Sequence, residues 1–243
     1  MTPLFRIILM EHIRSQRILV ELIIVGAMAF FVLRNLNDAQ AIHASLVLYA
    51  FLVSLYTTSV IADSSEQPHA IQRMLALPAR HLLLQAIGTS VATITIASYV
   101  VLVGVGMILN PLAMPSLLTL LLGFPSLLLL IVTAILLMLL MTPLVATTTQ
   151  RIIVLAIITI PIAWNIVVST VNLSMPSIDG TIIAAMTTVW GTLLWPPFSV
   201  YHHAIHPDYN ALTVLFHLIH VCILVGVARI GRRWFAHKSL TIA

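Results

Sequence analysis

A serine hydroxyl becomes a nucleophile when a base takes its proton, and histidine is the side chain most often used for that. Two serines here stand in settings worth weighing: Ser90 after Gly88-Thr89, and Ser126 after Gly123-Phe124-Pro125. Two histidines, His217 and His220, lie three residues apart in another apolar run and can serve as base. Hydrogen bonds to other helices are their simpler role, because polar groups inside a span seek partners on neighbouring helices. His202, His203 and His206 gather beside Asp208 with donor atoms suited to zinc, or to haem iron if such a substrate passes. Their spacing fits no strong metal motif, an ordinary polar loop is the simpler reading, and no metal ligand is assigned. Glu21 is the only acidic residue inside an apolar run; it can take up a proton, snorkel, or pair with Arg17 four residues earlier.

The elements that carry these residues are dictated by composition. Of 243 residues, 60% are hydrophobic and 7% charged. Soluble domains hold about 25% charged residues, so most of this surface faces something other than water. An all-α integral membrane protein follows. The net charge of +4 then marks loops lying against anionic lipid rather than a nucleic-acid partner. The single cysteine, Cys222, excludes an internal disulfide and carries no redox information.

A spanning helix needs about 20 mainly apolar residues. Six runs qualify: Ile18–Leu33, Ala41–Ala62, Leu82–Leu109, Ser116–Met141, Arg151–Val171 and Ala211–Gly231. The first is short, but Arg34 and Asn35 follow it without an A-x-A site, so it reads as an uncleaved span. Pro125 and Pro161 fall inside the fourth and fifth runs, where neighbours must satisfy the freed carbonyls. With the N-terminus inside, one side collects Arg6, Arg14, Arg17, Arg73, Arg80, Arg151, Arg229, Arg232, Arg233 and Lys238. The other keeps Arg34 alone. That asymmetry places both termini in the cytoplasm of a multi-pass inner (plasma) membrane protein.

Three further segments have patterns of their own. Residues 1–17 place Leu4, Phe5, Ile8, Leu9 and Ile13 on one helical face with Arg6, Arg14 and Arg17 at its margins, which suits an interfacial helix. Residues 172–210 form a long outer connection without Lys or Arg. Within it Thr181–Trp195 is apolar but too short to cross, and Trp190, Trp195 and Tyr201 suit the interface, so re-entrant helices are expected. A seventh span would move Arg229, Arg232, Arg233 and Lys238 to the outside.

The stretch "SSEQPHAIQRMLALPARHLLLQ", residues 64–85, links the second and third spans on the basic side. Ser64 or Ser65 can cap a helix whose first turn accepts Pro68. Ile71, Met74 and Leu75 share a face, and Leu77 before Pro78 ends the helix. A short amphipathic helix over residues 64–77 is expected, joined stiffly to the third span.

That order resembles the membrane permease subunit of ABC transporters of the type-2 (exporter) class. It comprises an amphipathic N-terminal helix, two spans, an acidic-then-basic short helix, and "LALPARHLLLQAIG" leading into the third span. Three further spans follow, with a long outer connection before the last. Glu66, Met74-Leu75, Leu77-Pro78 and Arg80 follow the family's pattern in order, although Gln67-Pro68-His69 stands where a Gly-Thr-like pair is usual. The resemblance covers the whole chain in topology and about fifteen residues in motif.

It implies a single permease domain over residues 1–243 that pairs with a second permease chain. The helix over 64–77 would be a coupling helix touching a separate ABC ATPase through Glu66, Gln67, His69, Gln72, Arg73, Pro78 and Arg80. "LWPPFSVYHHA" is similar to the family's outer proline-aromatic segment, which makes Trp195, Pro196, Pro197 and Phe198 gate candidates beside His217 and His220. Thr147-Thr148-Thr149-Gln150-Arg151 could touch the same ATPase or be a capped turn. No G-x-x-x-x-G-K-[ST] occurs, so ATP and magnesium would belong to the partner chain.

Two other classes compete. A secondary transporter would be expected to show inverted repeats, and none is evident. An intramembrane serine protease would use Ser90 or Ser126 with His217 or His220, yet neither serine has the Gly-x-Ser-Gly setting that resembles the rhomboid family. A haem-exporter-like permease is a subcase of the main reading.

Overall fold

The computed structural model describes residues 2–15, 17–34, 38–65, 81–142, 145, 147, 149–150, 200, 203–207 and 210–237. Among these, every regular element is a helix. α1 is Thr2–Arg14, α2 Arg17–Met28, α3 Ala39–Ser65, α4 His81–Leu109, α5 Leu117–Met141 and α6 Ala211–His237. α2 continues into a π-helical turn, Ala29–Leu33. Four helices are long and apolar enough to cross a membrane: Ala39–Ser64, Leu82–Leu109, Leu117–Met141 and Thr213–Phe235. At 1.5 Å per residue each exceeds the roughly 30 Å of hydrocarbon in a bilayer. The predicted first span is present as the shorter apolar stretch Ile18–Phe31. The predicted span Arg151–Val171 lies outside the described residues, as do residues 66–77 of the short helix expected over 64–77 and residues 172–199 of the outer connection expected over 172–210.

Helix ends follow local chemistry. Asp38 accepts from the Gln40 and Ala41 N–H groups, 3.2 Å each, at the start of α3. The Ser116 hydroxyl oxygen accepts from the Thr119 N–H at 3.1 Å and caps α5. Asn210 Oδ1 accepts from the Thr213 N–H at 2.8 Å and caps α6. Each satisfies a backbone donor that the first helical turn leaves without a partner. Thr147 and Gln150 form a reciprocal capping box, Thr147 N–H on Gln150 Oε1 at 2.8 Å and Gln150 N–H on Thr147 Oγ1 at 3.4 Å. α5 passes through Pro125 unbroken. α3 runs past the expected end at Ala62 to Ser65, and Ser64 Oγ donates back to the Ile61 carbonyl at 2.8 Å.

α3 packs between α4 and α5, and α5 carries α6 on its other side. Ile42, Leu46, Val47 and Ala50 of α3 meet Ile87, Val91 and Leu102 of α4 and Leu127 and Ile131 of α5 in the core. Ser54 Oγ donates to Thr95 Oγ1 at 3.2 Å across α3 and α4. Asn110 Nδ2 reaches the Leu33 carbonyl at 3.4 Å, which brings the far ends of α2 and α4 together. Arg34, at that same end, lies 5.4 Å from the centre of the Phe30 ring.

α1 turns its Leu4, Ile8 and His12 side toward the bundle, with Ile8 and His12 buried. The expected face included Ile13; it is exposed instead, together with Ile7 and Met10. The reason is polar. His12 Nε2 lies 3.1 Å from Glu21 Oε1, and Thr57 Oγ1 donates to the same oxygen at 2.6 Å. Glu21 therefore pairs with α1 and α3.

Gly123 permits a close approach. A Cβ on Gly123 would stand 2.4 Å from the Ala204 carbonyl oxygen, a backbone atom with little room to yield, whereas one on Gly26 would meet nothing within 4 Å. Gly123→Ala is expected to destabilise the bundle by about 1–3 kcal/mol, the usual cost of overpacking, while Gly26→Ala leaves it unchanged or slightly firmer. Thermal unfolding in detergent micelles compares the two.

Candidate functional site

α6 is built inside-out relative to a helix of a water-soluble protein. Its inward positions include Thr213, His217, His220, Leu224, Gly231 and Phe235, while Val214, Leu215, Leu218, Ile219, Val221, Ile223, Val225 and Ile230 are exposed. Polar groups that avoid the outer surface and apolar groups that seek it are what hydrocarbon selects. The inward polar groups of α6 meet their partners on α5. Two apolar helices thus share a polar seam.

The seam has two rungs. Ser126 Oγ lies 2.7 Å from His217 Nε2, and Thr133 Oγ1 lies 2.8 Å from His220 Nε2. Further along, a Cβ on Gly231 would stand 3.3 Å from Leu140 Cδ2. Partner numbers rise together on both helices, so α5 and α6 run parallel. Their capped first turns, at Ser116 and Asn210, accordingly lie at one end of the bundle.

The rungs are close in length and opposite in direction. His217 Nδ1 is 2.7 Å from the Thr213 carbonyl, which can only accept, so Nδ1 carries the proton. In the neutral ring Nε2 is then a bare acceptor, and the Ser126 hydroxyl donates to it. Thr133 Oγ1 instead gives its proton to the Leu129 carbonyl at 2.7 Å. His220 Nε2–H must therefore donate to Thr133, which leaves Nδ1 as the acceptor of that ring. Nδ1 is buried and makes no hydrogen bond. Ser90, the other candidate nucleophile, donates to the Ala86 carbonyl at 2.8 Å and meets no histidine among the described residues.

A short helical turn, residues 203–205, closes one end of the seam. Gly123 lets the Ala204 carbonyl approach α5. His43, buried on α3, hydrogen-bonds to the Ile205 backbone. Gln40 Nε2 lies 2.9 Å from His206 Nε2. These contacts bring the His203 ring to 5.7 Å from that of His217, tilted by 42°. Of the outer histidine group, His203 therefore joins the seam while His206 holds the start of α3; His202 and Asp208 are outside the described residues. Among the described residues no three His, Cys, Asp or Glu side chains are gathered as a metal site.

Of the other sequence-derived candidates, Glu66, Gln67, His69, Gln72, Arg73, Pro78 and Arg80, with Trp195, Pro196, Pro197 and Phe198, are outside the described residues. Thr133, Thr213 and His43 were not singled out from sequence. A signal for Thr133 existed: Ser126 and Thr133 are seven residues apart, one face of a helix, opposite a pair of histidines three apart. The chain matches no family model, no curated protein and no solved structure.

Losing one partner of a buried pair costs more than losing both. Thr133→Val strands the His220 N–H and is expected to cost about 1–3 kcal/mol. Thr133→Val combined with His220→Leu should recover part of that loss, because neither polar group remains. A double-mutant cycle on unfolding in micelles reads the coupling.

Proposed function

We propose that this chain is the membrane-spanning subunit of an ATP-driven ABC exporter of the type-2 permease class. It forms the substrate path with a second permease chain and receives motion from a separate ATPase through residues 64–77. The observation that carries the reading is the parallel course of α5 and α6. Met141 ends α5 at one end of the bundle, and Ala211 begins α6 at the other. The chain between them must return across the bilayer an odd number of times. One return, by Arg151–Val171, supports six crossings, with the capping box at Thr147 and Gln150 standing just before it. Two returns, as a seventh span through Thr181–Trp195 would require, would have set α6 antiparallel to α5.

Charge supports the orientation. Arg229, Arg232 and Arg233 are exposed near the end of α6, and Arg6 and Arg14 are exposed on α1. All five belong to the end where α3 finishes and α4 begins. Arg34 and Asp38 mark the opposite end. By the positive-inside tendency the basic end is cytoplasmic, and residues 66–80 join α3 to α4 there, on the side where ATP is available. α1, tied to α2 and α3 through His12, Glu21 and Thr57, braces that side of the bundle. Membrane lipid covers the apolar surface of α6. ATP and magnesium act on the partner subunit.

Purifying the tagged chain from its native membrane should bring an ABC ATPase with it. Glu66→Lys or Arg73→Glu should leave the chain in the membrane and lower substrate-dependent ATP hydrolysis at least about tenfold, the effect of about 1.4 kcal/mol of lost contact. A wild-type chain that purifies with no ATP-binding subunit, or export unchanged in both reversals, would overturn the reading.

A further inference from the structure

The direction of the Ser126 rung has a chemical consequence that the permease reading does not use. We propose that Ser126 is an activated nucleophile with His217 as its general base, and that the seam cleaves a peptide bond in a membrane-inserted segment. A structural rung and a catalytic pair differ in where the proton lies. In the Thr133 rung the hydroxyl is spent on the Leu129 carbonyl and the imidazole donates. In the Ser126 rung the Thr213 carbonyl holds the Nδ1 proton, the base lone pair on Nε2 faces Ser126, and the two atoms are 2.7 Å apart. Nucleophile, base and orienting group thus stand in the order that serine chemistry needs. Thr213 is a positioning residue, acting through its carbonyl.

The step balances with water as the only co-reactant. Ser126 Oγ forms a bond to the substrate's carbonyl carbon as its proton passes to His217 Nε2. The carbon–nitrogen bond then breaks, and the departing amine takes that proton. Water, deprotonated by the same nitrogen, releases the acyl group as a carboxylic acid and restores the serine.

Depth selects the substrate. Ser126 follows Leu117, the first residue of α5, by nine positions (126 minus 117), about 14 Å along the helix. A lipid ester carbonyl stays near the headgroups, whereas a membrane-inserted peptide carries carbonyls at that depth. Ser126 is buried, so a substrate segment must reach it alongside the Ser126–His217 pair, with that pair intact.

The test is covalent labelling of the full purified chain in detergent with an alkyl fluorophosphonate. Wild-type protein should be labelled at Ser126, as peptide mass mapping would show. Ser126→Ala should abolish the label, and His217→Phe should slow it about a hundredfold or more, the usual contribution of a general base. Thr133→Val and His220→Phe, on the other rung, should label at close to the wild-type rate. Should Ser126→Ala fail to fold, Ser126→Cys in a Cys222→Ser background should keep the fold and react with iodoacetamide faster than the same protein carrying His217→Phe. Wild-type labelling no faster than that of Ser126→Ala, or a label placed elsewhere, overturns the proposal. Labelling requires no ATPase, so that failure would leave the permease reading standing.

Discussion

A hydroxyl, imidazole or carboxylate carried into hydrocarbon must find its partner on a neighbouring helix, and that requirement sets the register of this bundle. Between apolar helices in a bilayer there is no hydrophobic force, because lipid tails are as apolar as leucine. What remains is close packing and hydrogen bonding. Ser54 with Thr95 ties α3 to α4, Glu21 with Thr57 ties α2 to α3, and two rungs tie α5 to α6. Each pair is modest in energy, yet each admits only one rotation and one height of its helices. Together with the tight approach at Gly123 they specify the arrangement.

The α5–α6 seam shows how little distance alone says about chemistry. Ser126–His217 and Thr133–His220 differ by a tenth of an ångström. Their proton directions differ because of carbonyls one turn away: Thr213 claims the Nδ1 proton of His217, and Leu129 claims the hydroxyl proton of Thr133. A carbonyl that can only accept therefore decides which side chain is acid and which is base. The same backbone that forms the helix writes the tautomer.

The direction of α6 connects these local bonds to topology. Because it runs alongside α5 rather than against it, the end of α6 lies with the end of α5, at the end of the bundle where α3 finishes. The proposed transport and the proposed covalent chemistry would call on different parts of the bundle. Motion delivered through residues 66–80 would enter at α3 and α4, whereas Ser126 and His217 sit on α5 and α6. The two proposals therefore stand or fall independently.

Composition and pattern by themselves determined that the chain is helical and membrane-embedded, and located the described helices closely, down to Ser116 before α5 and Ala211 opening α6. Caps, prolines and lengths are local, so they can be read locally. Pairings could not be. Glu21 bonds His12 and Thr57, on α1 and α3, where sequence had offered Arg17 one turn away, and Ile13 turned outward once His12 turned in. Ser126 rather than Ser90 met a histidine, although both serines had similar surroundings in the chain. In a soluble helix, apolar periodicity reveals the buried face. Here lipid and core are equally apolar, so that periodicity fades, and only the assembled bundle decides which polar side chain faces which.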